Sequence, residues 1–343
     1  MAGGPQNFMN RLESELIKYN LPKHSIINPT LESKGLTYNN KSINIGRLDG
    51  ISYHKLTSEN FYNLLIQRKN LRLSFIKKIP NSLLNKLTVP VNNYLNRNIK
   101  SLLNNVDAVV FQSEISKKMY DTIIEKPVNN FAIIKNGIPT DIFKPISSSS
   151  ISNQYPKIVI TANFRIHKRL HEAIRLTNFL KKKYSKVRLH IIGELDYLTT
   201  ESIKDLNLDS CIFHGNINSS LLPHIYADAD LGLSLCLFDA CPNSVVEMIG
   251  CGIPVLTNQE SGASELIKEE SLTISENIKF EYLPIYDNEW LPKINLEEWA
   301  KKIEFIMDNK NSLKEKMLMR IEEELDIRIV AKKYAEFIYS NEK

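Results

Sequence analysis

The sequence lacks the features that mark several whole classes of protein. No apolar run reaches the roughly 18 residues that would suggest a membrane-spanning helix. The opening stretch MAGGPQNFMN has no apolar h-region, so it does not read as a secretory signal. The four cysteines, Cys211, Cys236, Cys241 and Cys251, form no C-x-x-C pair, and no histidine lies at metal-finger spacing. That argues against a disulfide framework or a structural zinc site and for thiols in a reducing compartment. A net charge of +5 over 343 residues is too weak for a nucleic-acid footprint. It suits an anionic small ligand or an anionic membrane surface. No fixed-period repeat is visible. The expectation is a cytoplasmic protein with no nucleic-acid partner.

What remains is ordinary globular material, 43% hydrophobic and 24% charged, and long enough for about two domains. PQNFMNRLESELIKYN places Phe8, Leu12 and Leu16 on one helical face. KHSIINP, KSINIGRLDG, DAVVFQS and NFAIIKNGI read as strands, with helices such as YLNRNIKSLLNNV and EISKKMYDTIIE between them. The stretch KPISSSSISNQYPK then breaks the pattern, because four serines between prolines have a linker's composition. Beyond it the alternation resumes with KIVITAN, VRLHIIG, CIFHG, LGLSLCL and IPVLTN as strands, and the tail from Leu296 is helical. Strands alternating with helices argue for an α/β class with parallel sheets. The divisions are 1–146, 147–322 and a C-terminal helix, 323–343, that returns to the first domain. Ligands of such sheets gather at the strands' carboxyl ends.

The stretch DACPNSVVE carries an acid at each end, Asp239 and Glu247. Asp239 falls just past the strand LGLSLCL, and a helix can begin after Pro242 with Asn243 or Ser244 near its cap. The free N–H groups of that helix start form an anion site, with one acid on each side to accept hydroxyls. The alternative is that Asp239 is a loop cap and Glu247 complements the helix dipole. After the strand KIVITAN come Arg165 and Lys168, which suit a diphosphate on which charge develops.

The longer stretch FDACPNSVVEMIGCGIPVLTNQESGASEL resembles the donor-site signature of glycosyltransferase family 4. That signature has two acids separated by seven residues, a Cys-Gly-x-Pro-Val strand start, a Gly-rich turn and a Glu. Asp239 stands where the usual residue is Glu; Glu247, Gly262 and Glu265 match. NGIPTDIFKP, DAVVFQSEISK and RLDG extend the resemblance over most of the chain.

The resemblance implies two Rossmann-like domains facing a cleft, the GT-B architecture, and a retaining hexosyl transfer from a nucleotide sugar. The first domain reads as lacking its usual first strand. By position, Glu247 grips the ribose and Asp239 the transferred sugar. Pro242, Asn243 and Ser244 offer backbone contacts, and Gly193 and Glu265 complete the donor set. Arg165 and Lys168 stabilise the departing diphosphate. Gly3 and Gly4 stand for the family's phosphate loop. Asp49 of RLDG is set to position an acceptor hydroxyl, with Arg47 and His54 nearby; a surface role is the alternative for His54. The donor is a substrate, so neither cofactor nor metal is expected. Asp228 and Asp230 form a D-x-D that resembles a metal motif but precedes a strand instead of following one. From Lys55 to Lys100 there are nine Lys or Arg and one acid, a candidate contact for a membrane surface or an acceptor phosphate, or a solvated basic face. The partners implied are a nucleotide sugar and a glycan, glycolipid or other hydroxyl acceptor. A sugar-nucleotide-binding protein without turnover is the rival reading.

Overall fold

The computed structural model describes residues 4–29, 38, 41–49, 80–122, 124, 127–146, 155–280 and 291–342. Two parallel sheets organise them. The first contains β1 (His24–Ile27), β2 (Ile43–Leu48), β3 (Ala108–Phe111) and β4 (Phe131–Ile133), side by side in chain order. The second contains β5 (Lys157–Thr161), β6 (Arg188–Ile192), β7 (Cys211–Gly215), β8 (Leu231–Ser234), β9 (Val255–Asn258) and β10 (Thr273–Ile274). Runs such as AVVF and LGLS are buried at every position, as strands covered on both faces must be.

The order in the second sheet is β7-β6-β5-β8-β9-β10. The chain winds outward one way from β5, then returns to its other side at β8, where Ile158 pairs with Leu231. This is the doubly wound order, and the crevice between the tips of β5 and β8 is its switch point.

The helices are α1 (Gly4–Leu16), α2 (Asn81–Leu95), α3 (Arg97–Leu103), α4 (Glu114–Asp121), α5 (Leu170–Leu180) and α6 (Tyr197–Ile203). They continue with α7 (Leu222–Tyr226), α8 (Asn243–Gly250), α9 (Gly262–Ile267), α10 (Leu296–Asp308), α11 (Lys310–Arg320) and α12 (Ile327–Ser340). A π turn, Ile321–Leu325, joins α11 to α12. There the chain crosses back: Ile327 N–H donates to Ile138 O at 2.9 Å and Ile138 N–H to Leu325 O at 3.0 Å. α12 then lies on the first sheet. Its Val330, Tyr334 and Ile338 share one buried cluster with Phe8 and Leu12 of α1 and with Ile45 and Val110 of the sheet.

The first lobe thus consists of the first sheet, α1–α4 and α12, and the second of the β5–β10 sheet with α5–α11. The serine run 147–150, Gly3 and His54 lie outside the described residues, as does the part of the basic segment that precedes Pro80. Sequence reading joined 94–106 into one helix; the structure breaks it at Asn96, between α2 and α3.

Candidate functional site

The carboxyl ends of β5, β6 and β8 face those of β2, β3 and β4 across a cavity of about 560 Å³ lined by residues of both lobes. On the second lobe, Asp239 sits on the loop after β8. Its Oδ2 accepts from Lys168 Nζ at 2.5 Å, and its Oδ1 accepts from the Cys241 amide at 3.3 Å. The loop is pinned from behind: Gly262 N–H donates to Asp239 O at 2.7 Å, so close that a Cβ at Gly262 would stand 1.9 Å from Ala240 O. Burial pushes the Asp239 carboxyl up, but the Lys168 charge and hydrogen bond, with help from His167 and the Cys241 amide, outweigh it and the net shift is downward.

Pro242 precedes α8 with no side chain capping the helix, so the helix start presents N–H groups at the cavity wall beside Asn243 and Ser244. Glu247, a turn further on, is 8% exposed and lines the same cavity. Its Oε1 accepts from Arg11 Nη2 of α1 at 3.0 Å. Burial raises the Glu247 carboxyl above its usual range, and Arg11 offsets only part of that rise. Gly193, at the tip of β6, also lines the cavity. Its φ of +126° and a hypothetical Cβ 1.9 Å from Ala162 O leave no room for another residue.

The first lobe answers with a buried polar network. The fully buried Arg47 lies 4.3 Å from the Phe8 ring centroid, donates to Asp49 and donates to Asn136 Oδ1 at 2.8 Å. Asp49 also accepts from Asn28 and Gln112. Asn136 then reaches across the cleft, donating to Cys241 O at 3.2 Å and Asn243 Oδ1 at 2.7 Å. Ser113 Oγ makes a second crossing, to Ala240 O at 2.6 Å.

The structure therefore brings together Lys168, Asp239, Pro242, Asn243, Ser244, Glu247, Gly193 and Asp49 along one cavity. Arg47 stands directly behind Asp49. Two expected site residues, Arg165 and Glu265, do not line the cavity. Arg165 is exposed and does not line the cavity; the side chain that does, two positions earlier, is Asn163. The reason is local: after β5 the chain enters a 3-10 turn, Ile166–Lys168, which swings Lys168 inward. That turn ends at Arg169 with φ of 57°, held by a two-armed contact to Glu276 at 2.9 and 2.8 Å. Glu265 is likewise not part of the cavity lining. Its carboxylate accepts the Glu114 and Ile115 amides at 2.9 and 2.8 Å, sealing the start of α4 against the opposite lobe. Gly4 begins α1. Asp230 of the D-x-D lies at the amino end of the second sheet, where it accepts from the Lys157 amide at 2.9 Å and Lys310 Nζ at 2.8 Å.

Sequence reasoning missed Arg11, Gln112, Asn136 and Asn163. Gln112, Asn136 and Asn163 each follow a strand within three residues, and polar residues at strand tips were the available signal. Arg11 had a subtler one: Asn7 and Arg11 share a helical face at i, i+4, beside that of Phe8 and Leu12.

Two parallel α/β sheets meeting at a polar cleft, with the switch point of one against the strand tips of the other, define the GT-B class of glycosyltransferase. Residues 143–323 match the family model described as glycosyl transferases group 1, more than half of the chain, and the chain belongs to that family. An uncharacterized glycosyltransferase of Methanocaldococcus jannaschii is 25% identical over 190 residues, 52% of this chain and 46% of that one. The chain thus spans about half the length of the curated relative it matches. Among solved structures, sucrose-phosphate synthase from Thermosynechococcus elongatus superposes with a TM-score of 0.63 at 14% identity, over 97% of this chain and 77% of that one. TarM of S. aureus gives 0.61 at 15% identity, over 97% and 58%. HepE of Anabaena gives 0.56 at 14% identity, over 87% and 72%. These are likenesses of fold.

Proposed function

We propose that the protein is a retaining glycosyltransferase that moves a sugar from a UDP- or GDP-linked donor to a hydroxyl of a glycan or glycolipid. The observation that carries this reading is the meeting, at the switch point, of Asp239, Lys168 and Glu247 around the uncapped start of α8. Sugars and ribose present hydroxyl donors, and two fixed carboxylates are the acceptors for them. The diphosphate between them falls to Lys168 and the α8 N–H groups. Support for a uridine donor comes from relatives of the fold: HepE is solved with UDP-glucose, and TarM with UDP, alpha-GlcNAc-glycerol and fondaparinux.

In this reading Glu247 holds the ribose, Asp239 a hydroxyl of the transferred sugar, and Asp49 the acceptor side of the cleft. The bond from the anomeric carbon to the diphosphate breaks and that from the acceptor oxygen forms on the same face. The acceptor proton passes to the departing phosphate oxygen, so neither carboxylate need move a proton. Lys168 and the helix start neutralise the leaving group in place of a metal; turnover that survives EDTA is the expected result. Contact with a membrane surface is proposed through α2, where Leu83, Leu87 and Tyr94 are exposed beside Lys86. Sedimentation with anionic vesicles tests it. Among the described residues no helix is long and apolar enough to cross a membrane.

A thermal-shift panel of nucleotide sugars tests the donor assignment, since a ligand at about 100 times its Kd adds about 2.7 kcal/mol. Glu247→Ala is expected to abolish the shift; a shift that survives it removes Glu247 from the donor site. A second reading, sugar-nucleotide binding without turnover, draws on Arg165 lying off the cavity with Asn163 in its place. Release of nucleoside diphosphate in the presence of acceptor separates the two.

A further inference from the structure

α1 divides its residues between two tasks. Phe8 and Leu12 are fully buried in the core of the first lobe. Asn7, on another face, lines the cavity, and Arg11 stands one turn further along that face. Arg11 crosses to the second lobe, where its Nη2 donates to Glu247 Oε1 at 3.0 Å, with side-chain exposures of 15% and 10%. Its guanidinium carbon lies 5.2 Å from the centroid of the Phe143 ring, which fixes its height above the helix. Among the described residues, the other oxygen of Glu247 accepts no hydrogen bond and Arg11 Nη1 donates none. One carboxylate oxygen is thus tied and the other remains for a ligand hydroxyl.

We propose that Arg11 is a positioning residue for nucleotide binding, fixing the orientation and charge of the Glu247 carboxylate from the opposite lobe. The inference rests on the donor reading of Glu247 given above. Other groups facing Glu247 cannot take over this role. Tyr226 of α7 is held neutral, its hydroxyl pushed well up by burial and bonded to Thr161 Oγ1 at 3.2 Å. Cys251, just past α8, is pushed up to about 12 by burial. Arg11 is the charge that opposes the effect of burial on Glu247. Without it the carboxyl would take up its proton at a higher pH, and a protonated carboxyl has lost half of what makes it a hydroxyl acceptor.

The test is calorimetric binding of UDP and GDP as a function of pH, from the acidic range to neutrality, since the Glu247 carboxyl is raised. It compares wild type, Arg11→Gln and Arg11→Lys, with melting temperature recorded alongside. The expected result for Arg11→Gln is about tenfold weaker binding at neutral pH. Its acid-side loss of affinity should begin at a higher pH than in wild type, and Arg11→Lys should restore most of both. Arg11→Met keeps an unbranched side chain without the charge and serves as the neutral variant if Arg11→Gln does not fold. A purely structural tie would lower the melting temperature and leave affinity and pH profile unmoved; that outcome, with wild type binding normally, overturns this proposal alone. A wild type that binds neither nucleotide overturns it together with the function it rests on.

Discussion

Asp239 and Glu247 belong to one strand–loop–helix unit, eight positions apart, yet they occupy opposite electrostatic settings. Asp239 is held by a lysine of its own lobe at 2.5 Å and an amide two residues on, and its carboxyl is driven down. Glu247 sits deeper, is met by one arginine from the other lobe at 3.0 Å, and its carboxyl is driven up. The difference is one of where the compensating charge comes from. A charge supplied within a lobe is present whatever the lobes do, whereas one supplied across the cleft is present only while the lobes stay together.

That contrast can be broken most severely at Lys168. Lys168→Ala is expected to remove about 2.7–4 kcal/mol of transition-state stabilisation, read as a fall of about 100- to 1,000-fold in kcat. It should also let the Asp239 carboxyl rise. Glu247→Gln comes next, with about 1.5–3 kcal/mol lost from nucleotide affinity and kcat at saturating donor largely kept; calorimetry beside steady-state kinetics checks the split. Asn136→Ala strips the cross-cleft bonds to Cys241 and Asn243 and leaves Arg47 short of an acceptor, at about 1–3 kcal/mol of stability by denaturant unfolding.

The two carboxylates should also give opposite pH slopes. A carboxyl lowered on folding contributes stability above its unfolded value, lost as pH falls through the folded one. The advantage of wild type over Asp239→Asn should therefore grow as pH rises through the acidic range, then level off. A carboxyl raised on folding behaves the other way: its contribution is complete below the unfolded value and is lost as pH rises through the folded one. The advantage of wild type over Glu247→Gln should shrink with rising pH in a window above about pH 4.3. Parallel slopes in the two comparisons would sink the contrast. The smallest effect is expected at the exposed Arg165, where Arg165→Ala should alter stability by no more than about 0.5 kcal/mol and leave kcat near wild type.

The acid pair was legible because strand, turn and helix are written in consecutive residues. Lys168 was legible for the same reason, as a basic residue just past a buried strand. Arg165 falls outside the cavity lining because three residues of 3-10 turn and one left-handed residue, Arg169, decide which side chain turns inward, and neither carries a strong local signature. Arg at a left-handed position is held by Glu276, more than a hundred positions away. Glu265 lies outside the lining for a similar reason: its acid answers amides of α4, a helix of the other lobe. Arg11 and Asn136 belong to this group too, since what they touch depends on how two lobes face each other and no period in the chain encodes it. The fold itself was more legible than the site. Alternating strands and helices were readable run by run, while the order β7-β6-β5-β8-β9-β10 follows from the topology that such an alternation favours.

The return of α12 to the first sheet has a consequence for synthesis. Phe8, Leu12 and Leu16 share their buried cluster with Val330, Tyr334 and Ile338. A ribosome releases α1 early and α12 late, so the lobe that begins first must wait with an uncovered apolar face until the second has been made. Domains usually fold as they emerge. Here the later lobe can finish first, and the earlier one is sealed by the last helix described.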